Sequence, residues 1–415
     1  MLMTEEIRKQ FPALSGTVYG KPLVYLDNAA TSQRPRAVLD CWESLAAGAN
    51  ANIHRAVHYL AGLATDAYED TRRAVQAFLN APSPEEIVFT SGATAAVNLL
   101  AFSFGEAYVR EGDEIVVSVA EHHSNIVPWQ LLCQRKKAVL KVLDIHENGD
   151  LMVESLENLL SGRTKIVAIS HISNVLGLVN PVQKIVSICH EKGIPVLVDG
   201  AQGVVHEPVD VQALDCDFYV FSGHKLYAAT GTGVLYGKRK WLDALPPYMG
   251  GGEMIAHVSF EKTSFAPLPE KFEAGTQNFN AVPTLVPAMA FAKACREDAS
   301  IQKEQHAILE YVYEQITKNE LITLYGTPMG SKIPLFSFAV KGAHHEDLAL
   351  ILDKMGIAVR SGQMCAEPLM DRLGVTGLLR ASFGPYNTLA EAEYFIRSLN
   401  RAIAMLTGDS SRRSE

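Results

Sequence analysis

The stretch TKIVAISHISNVLGLVNPVQKIVSICHEKGIPVLVDG, residues 164–200, decides the fold. KIVAIS (165–170) and IPVLVD (194–199) are short apolar runs rich in β-branched residues, and between them NPVQKIVSICHEKG (180–193) carries apolar residues at helical spacing. Upstream, EEIVFT (85–90) leads in the same way into ATAAVNLLAFSFG (93–105), and DEIVVSV (113–119) into NIVPWQLLCQRKK (125–137). Strand alternating with helix predicts a mostly parallel sheet covered by helices, because a parallel connection needs a crossover long enough to hold one. DFYVFS (217–222) and GVLYGK (233–238) follow on shorter connections, which brings the sheet to about seven strands.

Outward from that core, the 415 residues are about three times a typical domain of roughly 150, so one large or two unequal domains are expected. The reading is an α/β chain with an N-terminal segment over 1–22 that packs with a small domain, a large domain over 23–283, the small α/β domain over 284–408 and a frayed tail over 409–415. In the small domain TLVPAMAFAKACRED (284–298) and the segment to Lys318 read as helices, with LITLYG (321–326), PLFSFAV (334–340), GIAVRS (356–361) and LLRASFG (378–384) as strands. Pro246 to Pro283, with GGGE, APLP and AGTQN, reads as ordered loop rather than sheet. Long loops of this kind usually serve function.

Composition narrows the function classes. Forty-eight per cent hydrophobic and 20% charged residues can build a core, and a net charge of −9 without a long basic run lacks the footprint of nucleic-acid binding. The six cysteines (Cys41, Cys133, Cys189, Cys216, Cys295, Cys365) form no C-x-x-C pair, which fits reduced thiols in the cytoplasm. The charged start MLMTEEIRKQ is no signal peptide, and no apolar run approaches the roughly 20 residues of a membrane span.

Asp199 closes the strand IPVLVD, at the strand end where open α/β sheets gather ligands, although an Asp there also serves as a helix cap. Lys225 follows the strand DFYVFS in the small-residue turn SGHK, where a solvated surface lysine is the ordinary reading. Pyridoxal phosphate is one cofactor that needs both groups, a lysine for a Schiff base and an acid against its pyridine nitrogen. SGATAA (91–96) offers its phosphate the hydroxyl of Thr94 and the amides of a helix start, or is simply a helix start. His122 in AEHHSN could stack on the ring and exchange protons, with capping or metal binding by His122 and His123 left open. A metal is the weaker option, since the pair His54 and His58 in HRAVH lacks the glutamate of a zinc helix motif. Cys365 lies in the loop sequence RSGQMCAEP, either inert or a thiolate supported by Arg360 and Arg380, and the fork of Arg380 suits a substrate carboxylate.

Taken in order, YLDNAAT, HRAVH, SGATAAVN, EHHSNIVPWQ, SHISNVLG, VLVDGAQ, DCDFYVFSGHKLY, FEAGTQN, VRSGQMCAEPL and RASFGPYNT resemble the group II cysteine desulfurases of the SufS and CsdA type, a branch of the class V aminotransferase family. The resemblance runs from about Phe11 to Leu406 and implies the fold of fold-type I pyridoxal-phosphate enzymes, working as a homodimer. It implies Lys225 as Schiff-base lysine, Asp199 as partner of the pyridine nitrogen, His122 as ring-stacking acid or base, and Gln202 on the cofactor phenolic oxygen. Thr94, Ser222 and His224 match the phosphate cup, completed by Thr276 of the second subunit. Asn174 and Arg380 match contacts to the substrate carboxylate, Ala29, Ala30 and His54 line the substrate side with Arg360 nearby, and Cys365 matches the nucleophile. The sequence departs from the family's usual residues at Ala95, Ala228-Ala229, Gln277 and Gln363-Met364.

The activity implied is conversion of L-cysteine to L-alanine, with the sulfur held as a persulfide and passed to an acceptor such as a SufE- or SufU-like carrier, for iron–sulfur assembly or related sulfur metabolism, without a metal. Selenocysteine lyase is the near alternative, with L-selenocysteine as substrate. An aminotransferase or kynureninase-like lyase has no use for a loop thiol, and a non-catalytic sulfur-relay or scaffold protein has no need of Lys225, Asp199 and Cys365 together.

Overall fold

The computed structural model describes residues 4–327 and 329–408; the tail expected over 409–415 lies outside them. Seven runs pair into one sheet: β1 (Ile87–Thr90), β2 (Glu114–Ser118), β3 (Val139–Leu143), β4 (Thr164–Ser170), β5 (Val196–Asp199), β6 (Phe218–Ser222) and β7 (Gly233–Gly237). Their spatial order is β1-β7-β6-β5-β4-β2-β3. β7 runs antiparallel to both neighbours, and every other pairing is parallel. β5, β6 and β7 are buried along their whole length because alternate side chains enter two separate cores. Val196, Val198, Tyr219 and Phe221 go to one face, and Leu197, Phe218, Val220 and Leu235 to the other.

The crossover helices bury the stripe that their period marks. Val182–Glu191 turns Val182, Ile185, Val186 and Cys189 inward, spacings of three and four that fall on one face. Ala93–Tyr108 starts at Gly92, whose φ of 152° is open to glycine, and a Cβ on Gly233 would fall 2.3 Å from the Gly92 Cα. Both glycines let β7 press against the turn at which this helix begins.

A second, four-stranded antiparallel sheet orders Ile322–Tyr325, Leu335–Val340, Leu378–Ser382 and Arg360–Gly362 side by side. Its core is Phe336, Phe338, Leu379 and Ala381 against Phe395, Leu399 and Ile403 of the helix Leu389–Thr407. Near the N-terminus, Phe11 packs edge-on against Tyr386, Phe291 and Tyr227, and Arg8 pairs with Glu391 at 2.7 Å. Three local expectations need correction. GIAVRS is two pieces, Ile357–Ala358 pairing in parallel with Val24–Tyr25, and Arg360–Gly362 joining the sheet. The loop region 246–283 contains a hairpin, Ile255–Val258 with Thr263–Phe265, whose mostly exposed residues leave no buried face to give a period. β3 had no counterpart among the predicted strands, since as an edge strand it keeps Val139 and Val142 about half exposed.

Candidate active site

The carboxyl ends of β1, β2, β4, β5 and β6 open on one edge of the central sheet, and the turns that leave them carry polar side chains. Ala93 and Thr94 follow β1, His122 and Ser124 follow β2, Asn174 follows β4, Asp199 ends β5, and Ser222, His224 and Lys225 follow β6. The smaller sheet supplies the facing wall, with Ala29 and Ala30 from an N-terminal loop and Arg360, Met364, Cys365 and Arg380. Together they enclose a cavity of about 270 Å³. Twelve of the fifteen expected site residues line it: Lys225, Cys365, His122, Thr94, Asp199, Ser222, His224, Ala29, Ala30, Asn174, Arg360 and Arg380 include every group assigned to bond making, with Lys225 serving two roles.

Burial sets the charge states. The Lys225 amine makes no hydrogen bond among the described residues, and desolvation lowers its pKa, against the attraction of Asp199 and with help from Arg380. Desolvation raises Asp199, against the pull of Lys225 and of the Ala201 amide that donates to Oδ1 at 2.9 Å. A carboxylate this buried, with one backbone donor, is built to receive another donor or cation. His122 is lowered to about 3, first by burial and then by Lys225, so its imidazole is neutral. The Ser124 N–H donates to its Nδ1 at 3.1 Å, which assigns the ring proton to Nε2. That bond caps the short turn His123–Asn125, so His122 is both a cap and a wall of the cavity.

At the start of the helix Ala93–Tyr108, the Ser222 hydroxyl accepts the Ala93 amide at 2.8 Å and Thr94 Oγ1 lies 2.6 Å from Ser124 Oγ. Amides of a first helical turn have no acceptor within the helix, so this end of the cavity favours an anion. His224 faces Thr31 through Nδ1 at 3.2 Å and is lowered to about 4 by burial and by Lys225.

Cys365 is exposed, and it and Met364 both have φ of 54°, the left-handed region that costs a non-glycine residue about 1–2 kcal/mol. Hydrogen bonds hold the loop in that shape. Asn174 Nδ2 donates to the Met364 carbonyl at 2.9 Å, the His123 amide donates to the Cys365 carbonyl at 2.7 Å, and the Glu367 amide donates to His123 Nε2 at 3.0 Å. Arg380, nearly fully buried, donates to the Asn174 carbonyl at 2.7 Å and to Asp27 at 3.2 Å, while its Nε has no partner. Asp27 also holds Arg360 at 3.3 Å. Asp27 had no expectation and His123 only the open one of capping or metal binding, although both stand inside quoted motifs; what marks them is a partner more than two hundred residues away in sequence.

Three expected residues stand apart. Gln202 is buried and donates to the Ala29 carbonyl at 2.7 Å, lining a smaller adjoining space that Lys225 and Ala29 share. Thr276 is exposed, outside the cavity of its own chain. His54 is also outside it and bonds Glu69 at 3.0 Å, which raises the imidazole pKa. Beside it Arg72, 2% exposed, is bidentate on Glu273 at 2.7 and 3.0 Å and holds Glu69 at 2.9 Å. Arg72→Ala strands the Glu273 carboxylate without its cation and is expected to cost about 3 kcal/mol, read as a lower urea midpoint in equilibrium unfolding. An unchanged midpoint would show the pair to be energetically neutral.

Residues 24–395 match the model of the family described as aminotransferase class-V. The chain is 45% identical over 406 residues to a probable cysteine desulfurase of Vibrio cholerae, covering 98% of this chain and 100% of that one. In structure it is similar to the cysteine desulfurase CsdA of Escherichia coli, with a TM-score of 0.89 at 37% identity over 98% of this chain and 100% of the other. It is also similar to a cysteine desulfurase of Thermococcus onnurineus, with a TM-score of 0.90 at 34% identity over 98% of this chain and 99% of the other.

Proposed function

The chain belongs to the class-V aminotransferase family, and from that premise we propose that it is a cysteine desulfurase that turns L-cysteine into L-alanine and keeps the sulfur on Cys365. The observation that carries the reading is one cavity walled by Lys225, Asp199, Arg380 and Cys365. Its relatives use pyridoxal phosphate, and the residues fit that group. The unpartnered amine of Lys225 suits a carbonyl, Asp199 has room for a protonated ring nitrogen, and Ser222, Thr94 and His224 surround a helix start suited to phosphate. When bound, the cofactor supplies an electron sink for charge developing at the substrate Cα.

The side chains divide the remaining work. Arg380 keeps a buried Nε–H without a partner, and its fork, braced by Asp27 and the Asn174 carbonyl, orients the substrate carboxylate. Lys225 Nζ, whose pKa burial lowers, takes the Cα proton and can return it. His122, neutral with its proton on Nε2, packs the ring wall and donates a hydrogen bond. Cys365 Sγ attacks the substrate sulfur as the Cβ–S bond breaks, so that L-cysteine and the Cys365 thiol become L-alanine and a Cys365 persulfide. A selenocysteine lyase has less need of a thiol, and the three hydrogen bonds that pin the Cys365 loop at the cavity mouth favour the desulfurase.

The proposal extends to a homodimer, to a cytoplasmic setting and to delivery of sulfur to a SufE- or SufU-like acceptor for iron–sulfur assembly or related metabolism. Support for the second copy comes from Thr276, outside its own cavity, and from Val258, Phe260 and Phe265, apolar and exposed on the hairpin. All six cysteines are free, consistent with a reducing compartment, and no helix among the described residues is long and apolar enough to cross a membrane.

Mass spectrometry of the holoenzyme after L-cysteine tests the reading: one sulfur atom added to the Cys365 peptide, with alanine released, is expected, and alanine without that adduct would overturn it. Arg380→Lys keeps the charge but loses the planar fork, and is expected to lower kcat/KM for L-cysteine by about 10- to 100-fold, chiefly through KM. A KM within twofold of wild type would remove Arg380 from the carboxylate site.

A further inference from the structure

We propose that His123 is the latch that positions the thiol loop, an inference that rests on the desulfurase reading and assigns a residue to it. Its two hydrogen-bonding groups grip the chain at the nucleophile and two residues beyond it. The backbone N–H donates to the Cys365 carbonyl at 2.7 Å, and the ring Nε2 accepts the Glu367 amide at 3.0 Å. Asn174, which follows the neighbouring strand β4, completes the grip on the N-terminal side of the nucleophile through the Met364 carbonyl at 2.9 Å. Between these anchors Met364 and Cys365 hold consecutive left-handed φ angles of 54°. Neither residue is glycine, so the surroundings must impose that conformation.

The imidazole is the part of the grip that a side-chain change can release. With Nε2 accepting, the ring proton lies on Nδ1, and an aromatic ring of similar size without an acceptor leaves the Glu367 amide to solvent. The loop can then relax toward ordinary φ values, which moves the thiol from the cavity mouth. Residue 122 lines the cavity and residue 123 grips the loop, so one short turn ties the ring wall to the thiol. Asn174 braces Arg380 as well, which makes it a member of the substrate wall; His123 acts on the reaction only through Cys365. It is a positioning residue.

The test uses the holoenzyme with His123→Phe and His123→Gln, glutamine placing an acceptor at similar reach. In His123→Phe the visible cofactor absorbance stays at the wild-type level, and kcat for alanine formation falls about tenfold with KM within twofold, a misplacement effect. Alkylation of Cys365 by iodoacetamide rises several-fold, and His123→Gln restores both rates to within about twofold of wild type. A His123→Phe protein with wild-type kcat and alkylation, or a His123→Gln protein as impaired as His123→Phe, would overturn the latch. If His123→Phe does not fold, amide exchange of the peptide 363–368 in the wild-type holoenzyme decides. Protection at Glu367 supports the latch, and exchange at the rate of an unstructured peptide refutes it. A wild-type protein that makes no alanine would instead sink the desulfurase reading, while the alkylation and exchange measurements would still judge the latch.

Discussion

Alanine formation from L-cysteine is expected to fall about a thousandfold in Cys365→Ala while cofactor absorbance stays unchanged. The substitution is unusually clean here. The bonds that shape the loop use the carbonyls of Met364 and Cys365 and the amide of Glu367, none of which involves Sγ. Alanine keeps the Cβ, so it meets the same φ of 54° at the same cost. Lys225, Asp199 and His122 lie on the other wall and keep their places. The loss therefore reports the missing sulfur acceptor and little else. L-Selenocysteine offered to the same variant separates the two closest activities: turnover near wild type would make the protein a selenium lyase, and parallel loss supports the desulfurase. A Cys365→Ala enzyme turning over L-cysteine within threefold of wild type would refute the assigned nucleophile.

Lys225→Ala is expected to remove the visible band of the internal imine and to lower alanine formation by at least about 10⁴-fold, equivalent to about 5.5 kcal/mol of barrier. The size follows from two uses of one atom. In the proposed reaction Nζ serves as the covalent anchor and also moves the Cα proton, and no other lysine among the described residues lines the cavity. Desolvation already prepares it, since a lysine whose pKa is lowered holds a larger neutral fraction than one in water. The carboxyl of Asp199 loses its nearest cation in this variant, so weaker retention of the cofactor in gel filtration is a second expected readout. A spectrum identical to wild type would contradict the lysine assignment.

Much of this arrangement was legible in residue order because parallel strands announce both themselves and their carboxyl ends. Val196–Asp199 and Phe218–Ser222 are continuous apolar runs, and the polar residue that breaks each run is the one at the site edge. Ser222, Lys225 and Asp199 could therefore be placed before any contact was known. Cys365, Arg380 and Asn174 are different, since they come from a second sheet or a distant turn and their meeting rests on tertiary packing; the family resemblance supplied what periodicity lacked. The contact of His123 with the thiol loop and any role for Asp27 escaped even that, because both are made through bonds to Glu367, Cys365, Arg360 and Arg380. The exposed hairpin over 255–265 and the edge strand Val139–Leu143 were missed for a simpler reason: half-wet strands bury too little to leave a rhythm.

The amine at 225 is carried by the central sheet, whereas the thiol at 365 hangs beyond Arg360–Gly362 on the four-stranded one. Breaking the carbon–sulfur bond and handing the atom onward are thus mounted on separate chassis. Lengthening or re-sequencing the five residues 363–367 changes where the cargo is offered while leaving the anchor of the vitamin-derived group as it was.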